Sequence, residues 1–414
     1  MAALFRPSPR HGGATPPPAH TTAEILHSRL SLPDSPALKA LLDFLRGALH
    51  QYGVRPASES IDWPLFCDLA RAHRVSPLVV GVLSMEEFDA VPDSVRTRLG
   101  SDARAFSLKN LAATRALLRA HAGLEKAGLD YLLLKGPAVA YRLYDDLGHR
   151  PFKDLDLWVH PSELADACRA LENVGFSWPT RLDRRGVDLG LRSGSDTHTT
   201  LTWSGVECEL HSRPSWRYDL PFRKAWREQA EVRILETAVP TLGDRHLGLY
   251  LPLHGSYHGW ARLRWLVDLH RLRSRLDIEW NSVHALAKRM GQSAAFEAGW
   301  LLAQEFLGTE TPLQSEATSR RAYSIALAGT DNWEHPDKTL SRSQVEMLRA
   351  DLSTLDRRRD RVLILLKLVV QPGPKDWDVV PAVSHRTPVF FSLVRLARLL
   401  LTGLVKGPRW LLQR

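Results

Sequence analysis

Two neighbouring acidic residues on an extended segment constrain the fold of this chain most strongly. Residues 154–157 alternate between acidic and apolar side chains and run on into Trp158-Val159, and an apolar stretch precedes them at residues 131–134. This pattern predicts two strands of one sheet. Because successive side chains of a strand point to opposite faces, Asp154 and Asp156 lie side by side. Their carboxylates repel each other unless a cation lies between them, and hard oxygen ligands suit Mg²⁺. The alternative is a half-buried strand whose outer face is acidic.

The link between these strands has the features of an anion-binding turn. Gly136 allows unusual backbone conformations, and Pro137 fits the first position of a helix that we predict through residue 144. The start of a helix offers unpaired N–H groups and the positive end of the helix dipole to an anion, and Lys135 adds a point charge. The sequence therefore predicts that a phosphate chain docks here.

A predicted β-hairpin supplies further acidic side chains. Residues 198–203 and 206–211 alternate as strands do, and the Ser-Gly dipeptide between them is a suitable two-residue turn. Glu207 and Glu209 share one face of the second strand. One of them can add a third carboxylate to the aspartate pair, as nucleotidyl and phosphoryl transfer require, but alternation by itself does not choose between them.

Three motifs in this order carry a resemblance to a known family. They are Leu134-Lys-Gly136 with its helix, Arg150 ahead of Asp154-Leu-Asp156, and the string of apolar and acidic residues that ends at His211. With these motifs the chain resembles the uncharacterised nucleotidyltransferase family of the polymerase beta-like nucleotidyltransferase superfamily. The resemblance extends over roughly residues 40 to 400. Its outlying segments are Asp62-Trp63, residues 254–268, Asp376-Trp377 and the apolar run from Pro388.

The resemblance implies an enzyme, a Mg²⁺-dependent nucleotidyltransferase. Such an enzyme moves a nucleoside monophosphate from a nucleoside triphosphate, expected to be ATP, to an acceptor and releases pyrophosphate. The acceptor, a small molecule, a peptide or a protein, is not identified. The resemblance also implies that Asp154, Asp156 and Glu209 are both catalytic and metal-binding, because the family places an acidic residue two positions before His211. The residues expected to contact the nucleotide are Lys135, Gly136, Arg150, Lys153 and His211.

The chain departs from the superfamily at its phosphate loop. Pro137 follows Gly136 where the superfamily typically has a second small residue, and proline offers neither a hydroxyl nor an N–H group. The spacing from Gly136 to Asp154 is also longer than the common one. Phosphate contacts must then come from elsewhere, and this makes Arg150 and Lys153 candidates for them.

Two other functions use the same residues. A kinase-type phosphotransferase would attack the terminal phosphorus in the same cleft, in a biosynthetic pathway, and would release a nucleoside diphosphate. A non-catalytic nucleotide-binding or regulatory protein would keep the fold without the chemistry. The joint presence of Asp154, Asp156 and Glu209 weighs against this last alternative.

A histidine pair lies in a predicted helix nearer the C-terminus. His254 and His258 are four residues apart, which places them on one face of a helix. This spacing can bind zinc, but the glutamate of the metalloprotease motif is absent, so packing or a place in the cleft wall is favoured. Asp268 is predicted to lie on the same helix, where it can either act as a cap or pair with Arg262 or Arg264.

The composition of the chain limits the classes of protein to which it can belong and the partners that it can have. The 414 residues carry a net charge of +9, with arginines spread over many segments. No aromatic stacking motif of an RNA-binding module accompanies them, so nucleic acid is not an expected partner. The three cysteines, Cys67, Cys168 and Cys208, lack metal-type spacing, and no signal peptide is visible. These features predict a cytoplasmic protein.

The most apolar stretch of the chain is residues 388–405. Arg395 and Arg398 lie near its middle, where charged side chains oppose insertion, so we expect no transmembrane segment. Core packing is the default prediction. Peripheral contact of this basic helix with a membrane is the alternative.

The same cues predict an α+β fold, with a small mixed β-sheet embedded between N- and C-terminal helical regions. Helices are predicted to begin at Pro36 and to cover about residues 62–86 and 94–127. The expected regions are a disordered, proline-rich leader (1–35), an N-terminal helical region (36–129), the nucleotidyltransferase core (130–220) and a C-terminal helical region (221–414).

Overall fold

The strands that carry the acidic residues belong to one six-stranded mixed sheet. It is seen in a computed structural model, which describes residues 34–51, 61–83, 91–179, 198–313, 319–337, 352–370 and 392–397. The strand order is β3-β4-β2-β1-β6-β5. The strands are β1 (Tyr131–Leu133), β2 (Asp154–Val159), β3 (His198–Trp203), β4 (Val206–His211), β5 (Ala230–Ile234) and β6 (Thr237–Thr241).

The register between β2 and β4 brings the two acidic pairs together. These strands run parallel, with Asp154 opposite Glu207 and Asp156 opposite Glu209. Strand β3 pairs antiparallel with β4, and the turn between them, Ser204-Gly205, has positive φ at both residues. This is the backbone that a two-residue type I′ hairpin requires. The predicted hairpin is therefore confirmed.

Helices surround the sheet on both sides. In the N-terminal half they are α1 (Pro36–His50), α2 (Trp63–Ala72), α3 (Ser76–Leu83), α4 (Asp93–Lys126), α5 (Pro137–Tyr144) and α6 (Leu164–Asn173), with a 3₁₀ turn at Pro161–Glu163. The later helices are α7 (Phe222–Arg227), α8 (Asp244–Tyr257), α9 (Leu263–Arg275), α10 (Trp280–Arg289), α11 (Ser293–Leu307), α12 (Arg320–Thr330) and α13 (Arg358–Val370).

The two faces of the sheet pack against different cores. Leu155, Leu157 and Leu210 point to one face and belong to a buried cluster with side chains of α4 and α6. Trp158 points to the other face and joins a larger cluster that contains the C-terminal helices. Because side chains alternate along β2, Asp154 and Asp156 share the face of Trp158. The acidic residues therefore open toward the helices that follow the sheet.

The predicted α+β class, with a mixed sheet and helices at both ends of the chain, is confirmed. The helix predicted at about 62–86 is broken at residues 73–75. The single helix predicted through residues 254–268 is wrong, because α8 ends at Tyr257 and α9 begins at Leu263. The hairpin of β5 and β6 was missed, since it lies in the stretch assigned to helices.

Several predicted features lie outside the described residues. These are residues 1–33 of the proline-rich leader, Asp376-Trp377, and the C-terminal apolar run apart from the helical residues 392–397. The described end of the leader, Ser35, caps α1 by accepting a hydrogen bond from the Leu38 N–H. No helix among the described residues is long and apolar enough to cross a membrane.

Candidate active site

A cleft of about 510 Å³ lies between the acidic face of the sheet and helices α8 and α9. This volume suits a nucleotide-sized ligand. The sheet contributes Asp154, Asp156, Glu209 and His211 to its lining, and the end of β1 contributes Lys135. With Lys153, which also lines the cleft, six of the eight predicted site residues thus meet in one concave surface.

Asp156 and Glu209 form the centre of this surface with His211. The His211 Nε2 atom lies 3.2 Å from Asp156 Oδ1 and 3.3 Å from Glu209 Oε2. One ligand atom from each of the three residues lies within 4.8 Å of the others. Among the described residues, this is the one group of three or more metal-ligating side chains so arranged. Two carboxylates and an imidazole at this separation can share a cation.

Lys135 bridges the two aspartates of β2. Its Nζ atom lies 2.9 Å from Asp156 Oδ2 and 3.8 Å from Asp154 Oδ1. The following residue, Gly136, has φ 65° and ψ −121°, which side chains with a Cβ rarely adopt, and Pro137 begins α5 directly after it. The turn therefore holds the lysine over the carboxylates and starts α5 directly after it, while Gly136 itself, expected from the resemblance to contact the nucleotide, is not among the lining residues of the cleft.

The charges of this cluster support one another. Burial alone would raise the pKa of Asp156, but Lys135 and His211 outweigh burial and hold this pKa well below its usual value. Burial would also raise the pKa of Glu209, and the hydrogen bond from His211 lowers it overall. Burial alone would lower the pKa of Lys135 and of His211, but the nearby carboxylates raise the pKa of both. The cluster thus favours ionised carboxylates beside protonated lysine and histidine.

The second acidic pair lies at the rim of the cleft. Lys153 Nζ lies 3.9 Å from Asp154 Oδ2 and 3.6 Å from Glu207 Oε2. The Glu207 side chain is 51% exposed, whereas that of Glu209 is 25% exposed and lines the cleft. The strand register thus distinguishes the two glutamates, which alternation alone could not do, because it places Glu209 opposite Asp156.

Arg150, which the resemblance placed among the nucleotide contacts, is not in the cleft lining. Its guanidinium is 2% exposed and forms two hydrogen bonds to Asp268, with Nε 2.7 Å from Oδ1 and Nη2 2.8 Å from Oδ2. The Tyr144 hydroxyl donates to the same Oδ1 at 2.7 Å. Arg150 therefore ties the segment before β2 to α9. Of the two roles considered for Asp268, the pairing with Arg262 or Arg264 is wrong, because Arg150 is its partner.

The histidine pair lies in the opposite wall of the cleft. The rings of His254 and His258 are 4.7 Å apart, edge to face, and His258 stacks on Trp265 at 5.1 Å. Burial and then neighbouring positive charge lower the pKa of both, that of His258 to about 3. Both imidazoles are therefore neutral packing partners, and no metal-ligating group of three in the described chain includes them.

The model of the uncharacterised nucleotidyltransferase family matches residues 59–308, which is more than half of the chain. The chain belongs to this family. The suspected membership is thereby confirmed, and the protein is a nucleotidyltransferase, a transferase of phosphorus-containing groups. The match does not include the C-terminal segments that carried part of the resemblance. No curated protein and no solved structure was found to match the chain.

Several residues of this nucleotidyltransferase line the cleft although the sequence predicted no nucleotide contact for them. Arg74 reaches it from the turn between α2 and α3, and Arg264 reaches it from the first turn of α9. Aromatic rings form much of the remaining wall, including Trp216, Tyr250 and Tyr257. A lone arginine between two helices, or an isolated aromatic residue, carries no spacing signal. Long-range packing alone brings these side chains to the site.

Proposed function

We propose that this nucleotidyltransferase moves a nucleoside monophosphate from a nucleoside triphosphate, with ATP the expected donor, to an unidentified acceptor. The acceptor oxygen forms a bond to the α-phosphorus while the bond from that phosphorus to the bridging oxygen breaks, and pyrophosphate leaves. The observation that carries the proposal is the pairing of Asp156 with Glu209 across parallel strands, with Lys135 over them in one cleft.

The donor set fits a divalent cation such as Mg²⁺. Asp156 and Glu209 offer carboxylate oxygens within 4.8 Å of each other, and Asp154 lies on the same strand face. Mg²⁺ prefers oxygen ligands and keeps positions open for phosphate and water. We therefore propose Asp154, Asp156 and Glu209 as the catalytic, metal-binding residues. When bound, the cation would neutralise phosphate charge and lower the pKa of an acceptor hydroxyl.

We propose separate roles for the positively charged side chains of the site. Lys135 and Lys153 face the aspartates and supply positive charge where the triphosphate would lie. Helix α5 begins directly after Gly136, so its first N–H groups follow Lys135 closely in the chain and can add positive potential near it. His211 holds Asp156 and Glu209 in place through its Nε2 atom. We assign Arg150 a positioning role, because its buried bond to Asp268 fixes the segment that leads into β2.

The partners and location belong to the same proposal. The aromatic wall offers apolar faces on which a nucleobase or an acceptor can stack. We keep a small molecule, a peptide or a protein as the acceptor, and nucleic acid is not expected. A cytoplasmic location and peripheral membrane contact of the C-terminal helix stay predictions. All three cysteines are buried.

Thermal stability in the presence of nucleotides is the first test. Each nucleoside triphosphate is added with and without Mg²⁺ to the wild type and to the double variant Asp154→Asn/Asp156→Asn. A ligand that binds only the folded state raises the melting temperature. We expect Mg²⁺-dependent stabilisation of the wild type and none of the variant. Glu231→Gln is the control, because it removes an exposed carboxylate from β5 at the far edge of the sheet.

The products then identify the phosphorus that is attacked. With the preferred nucleotide and a panel of acceptors, we expect pyrophosphate and a nucleotidylated product. Release of a nucleoside diphosphate would instead identify a kinase-type reaction. Absence of any Mg²⁺-dependent nucleotide binding by the wild type would contradict the proposed function.

A further inference from the structure

Three arginines from two distant parts of the chain converge on the cleft. Arg74 lies in the turn between α2 and α3, while Arg262 and Arg264 flank the start of α9. With Lys135 and Lys153, the cleft lining holds five lysine and arginine side chains but only the carboxylates of Asp154, Asp156 and Glu209. This excess of positive charge is suited to an anionic ligand.

The three guanidinium groups have few protein acceptors. Arg264 donates through Nη1 to the Pro151 carbonyl, but its buried Nε has no hydrogen-bond partner in the part of the chain that the structure describes. Arg262 contacts Asp337 at 3.2 Å, and its buried Nε is likewise without one. That aspartate is 76% exposed. For the Arg74 guanidinium, no hydrogen bond or ion pair is found among the described residues.

Their proximity carries an electrostatic penalty in the absence of a ligand. Burial, followed by the charge of Arg262, lowers the pKa of Arg74 to about 10. Burial, followed by the charges of Arg150 and Arg74, also lowers the pKa of Arg264 well below its usual value. A lowered pKa means that the surroundings destabilise the charged form of an arginine. The fold nevertheless places these arginines close together. An anion bound among them would remove the mutual repulsion.

The backbone at Arg74 adds an independent observation. Helix α2 ends in a Schellman motif, in which the Val75 N–H bonds to the Ala70 carbonyl at 2.9 Å and the Arg74 N–H bonds to the Arg71 carbonyl at 3.0 Å. Arg74 takes the left-handed position of this motif, with φ 59°. Glycine usually occupies that position, because a Cβ is strained there. The chain therefore accepts backbone strain at the residue whose side chain enters the cleft.

We propose that Arg74, Arg262 and Arg264 form an anion pocket that binds the β- and γ-phosphates of the nucleoside triphosphate. The pocket supplies contacts that the Gly136-Pro137 turn cannot give, because proline has no N–H group to donate. Guanidinium groups suit this task since their planar N–H groups match phosphate oxygens. The proposal rests on the proposed function and assigns the part of the donor molecule that these residues bind.

The test measures binding of inorganic tripolyphosphate, which carries the phosphate chain without base or sugar. Arg74→Met and Arg74→Gly are compared with the wild type by calorimetric titration, and the same proteins are titrated with AMP and ATP in the presence of Mg²⁺. Arg98→Met is the matched control, because Arg98 pairs with Asp68 on the N-terminal helices and does not line the cleft.

We expect both Arg74 variants to bind tripolyphosphate at least about tenfold more weakly, with less than about a twofold change in the control. The preference for ATP over AMP should fall by a similar factor. Arg74→Gly should melt at the same temperature as the wild type or higher, because glycine adopts the left-handed backbone without strain. A purely structural role for Arg74 would instead leave phosphate binding unchanged.

The possible results separate this inference from the proposed function. Wild-type affinity for tripolyphosphate in both Arg74 variants, or no tripolyphosphate binding by the wild type, would overturn the anion pocket even if pyrophosphate release is observed. Loss of tripolyphosphate binding in the variants, without nucleotidyl transfer by the wild type, would support the pocket and overturn the transfer reaction.

Discussion

His73 accepts a hydrogen bond from the backbone N–H of Leu263, with 3.2 Å between the Leu263 N and His73 Nδ1 atoms. Its Nε2 atom lies 2.8 Å from the Trp333 carbonyl and donates to it. The two bonds select the neutral imidazole with its proton on Nε2. The side chain is fully buried. His73 thus joins the turn that carries Arg74 to the first residue of α9.

This relationship predicts an acid-sensitive fold. Burial lowers the pKa of His73 to about 4, so the unfolded chain, in which the usual value of about 6.5 applies, takes up the proton first. The stability contribution of the neutral form is therefore lost as pH falls from about 6.5 to about 4, and the total loss from this residue is about 3 kcal/mol.

Chemical denaturation at a series of pH values checks this prediction with His73→Gln. At pH 7 the variant should be less stable than the wild type, but between about pH 4.5 and 6 its free energy of unfolding should fall less steeply, by about 1.4 kcal/mol per pH unit. His149→Gln, which removes a half-exposed histidine instead of a buried one, is the control variant. Equal slopes for His73→Gln and the wild type would contradict the prediction.

Removal of one partner from the buried Arg150–Asp268 pair should destabilise the fold strongly. Both side chains are 2% exposed, so Arg150→Met leaves a carboxylate without its main cation in a dry environment. We expect a loss of about 3–5 kcal/mol in the free energy of unfolding. Arg150→Lys should recover only part of it, because lysine cannot form two parallel bonds.

A double variant separates positioning from phosphate binding. Arg150→Met/Asp268→Leu removes both charges and should be markedly more stable than Arg150→Met alone. If Arg150 acts only in positioning, the affinity for tripolyphosphate should recover together with stability. Recovery of stability without recovery of affinity would restore the sequence-based hypothesis that Arg150 contacts phosphate.

Local patterns and long-range packing contributed differently to what the sequence could predict. The acidic face of β2 and the β3–β4 hairpin follow from alternation and turn chemistry, which act within a few residues. The choice of Glu209 rested on family resemblance, and its position opposite Asp156 depends on the parallel pairing of two strands far apart in sequence. The partner of Asp268 was mispredicted because Arg150 is 118 residues away. Spacing within one helix gives no information about such contacts.

The two glutamates of β4 provide a matched pair of variants. Glu209→Gln removes a carboxylate from the group with Asp156 and His211, and we expect the rate of pyrophosphate release to fall by about a hundredfold or more. Glu207→Gln changes an exposed carboxylate at the rim and should cost less than about fivefold. A steady-state assay with the preferred nucleotide measures both. A larger loss from Glu207→Gln than from Glu209→Gln would reverse the assignment.

Lys135 should compete with a divalent cation for the aspartates. Its Nζ atom already lies 2.9 Å from Asp156, whose side chain is 2% exposed. Lys135→Met removes this positive charge and leaves the repulsion between the neighbouring carboxylates uncompensated. Without Mg²⁺, we expect the variant to lose about 3 kcal/mol or more of stability, as for other broken buried pairs.

Added Mg²⁺ should then stabilise Lys135→Met more than the wild type, because the cation relieves a repulsion that the wild type does not have. Thermal unfolding across a Mg²⁺ titration measures this difference, and we expect at least about tenfold tighter apparent Mg²⁺ binding by the variant. Lys39→Met is the control, since Lys39 forms a largely exposed pair with Asp34. An equal Mg²⁺ effect on Lys135→Met and the wild type would mean that the cation binds away from Asp156, and the proposed ligand set would then have to be abandoned.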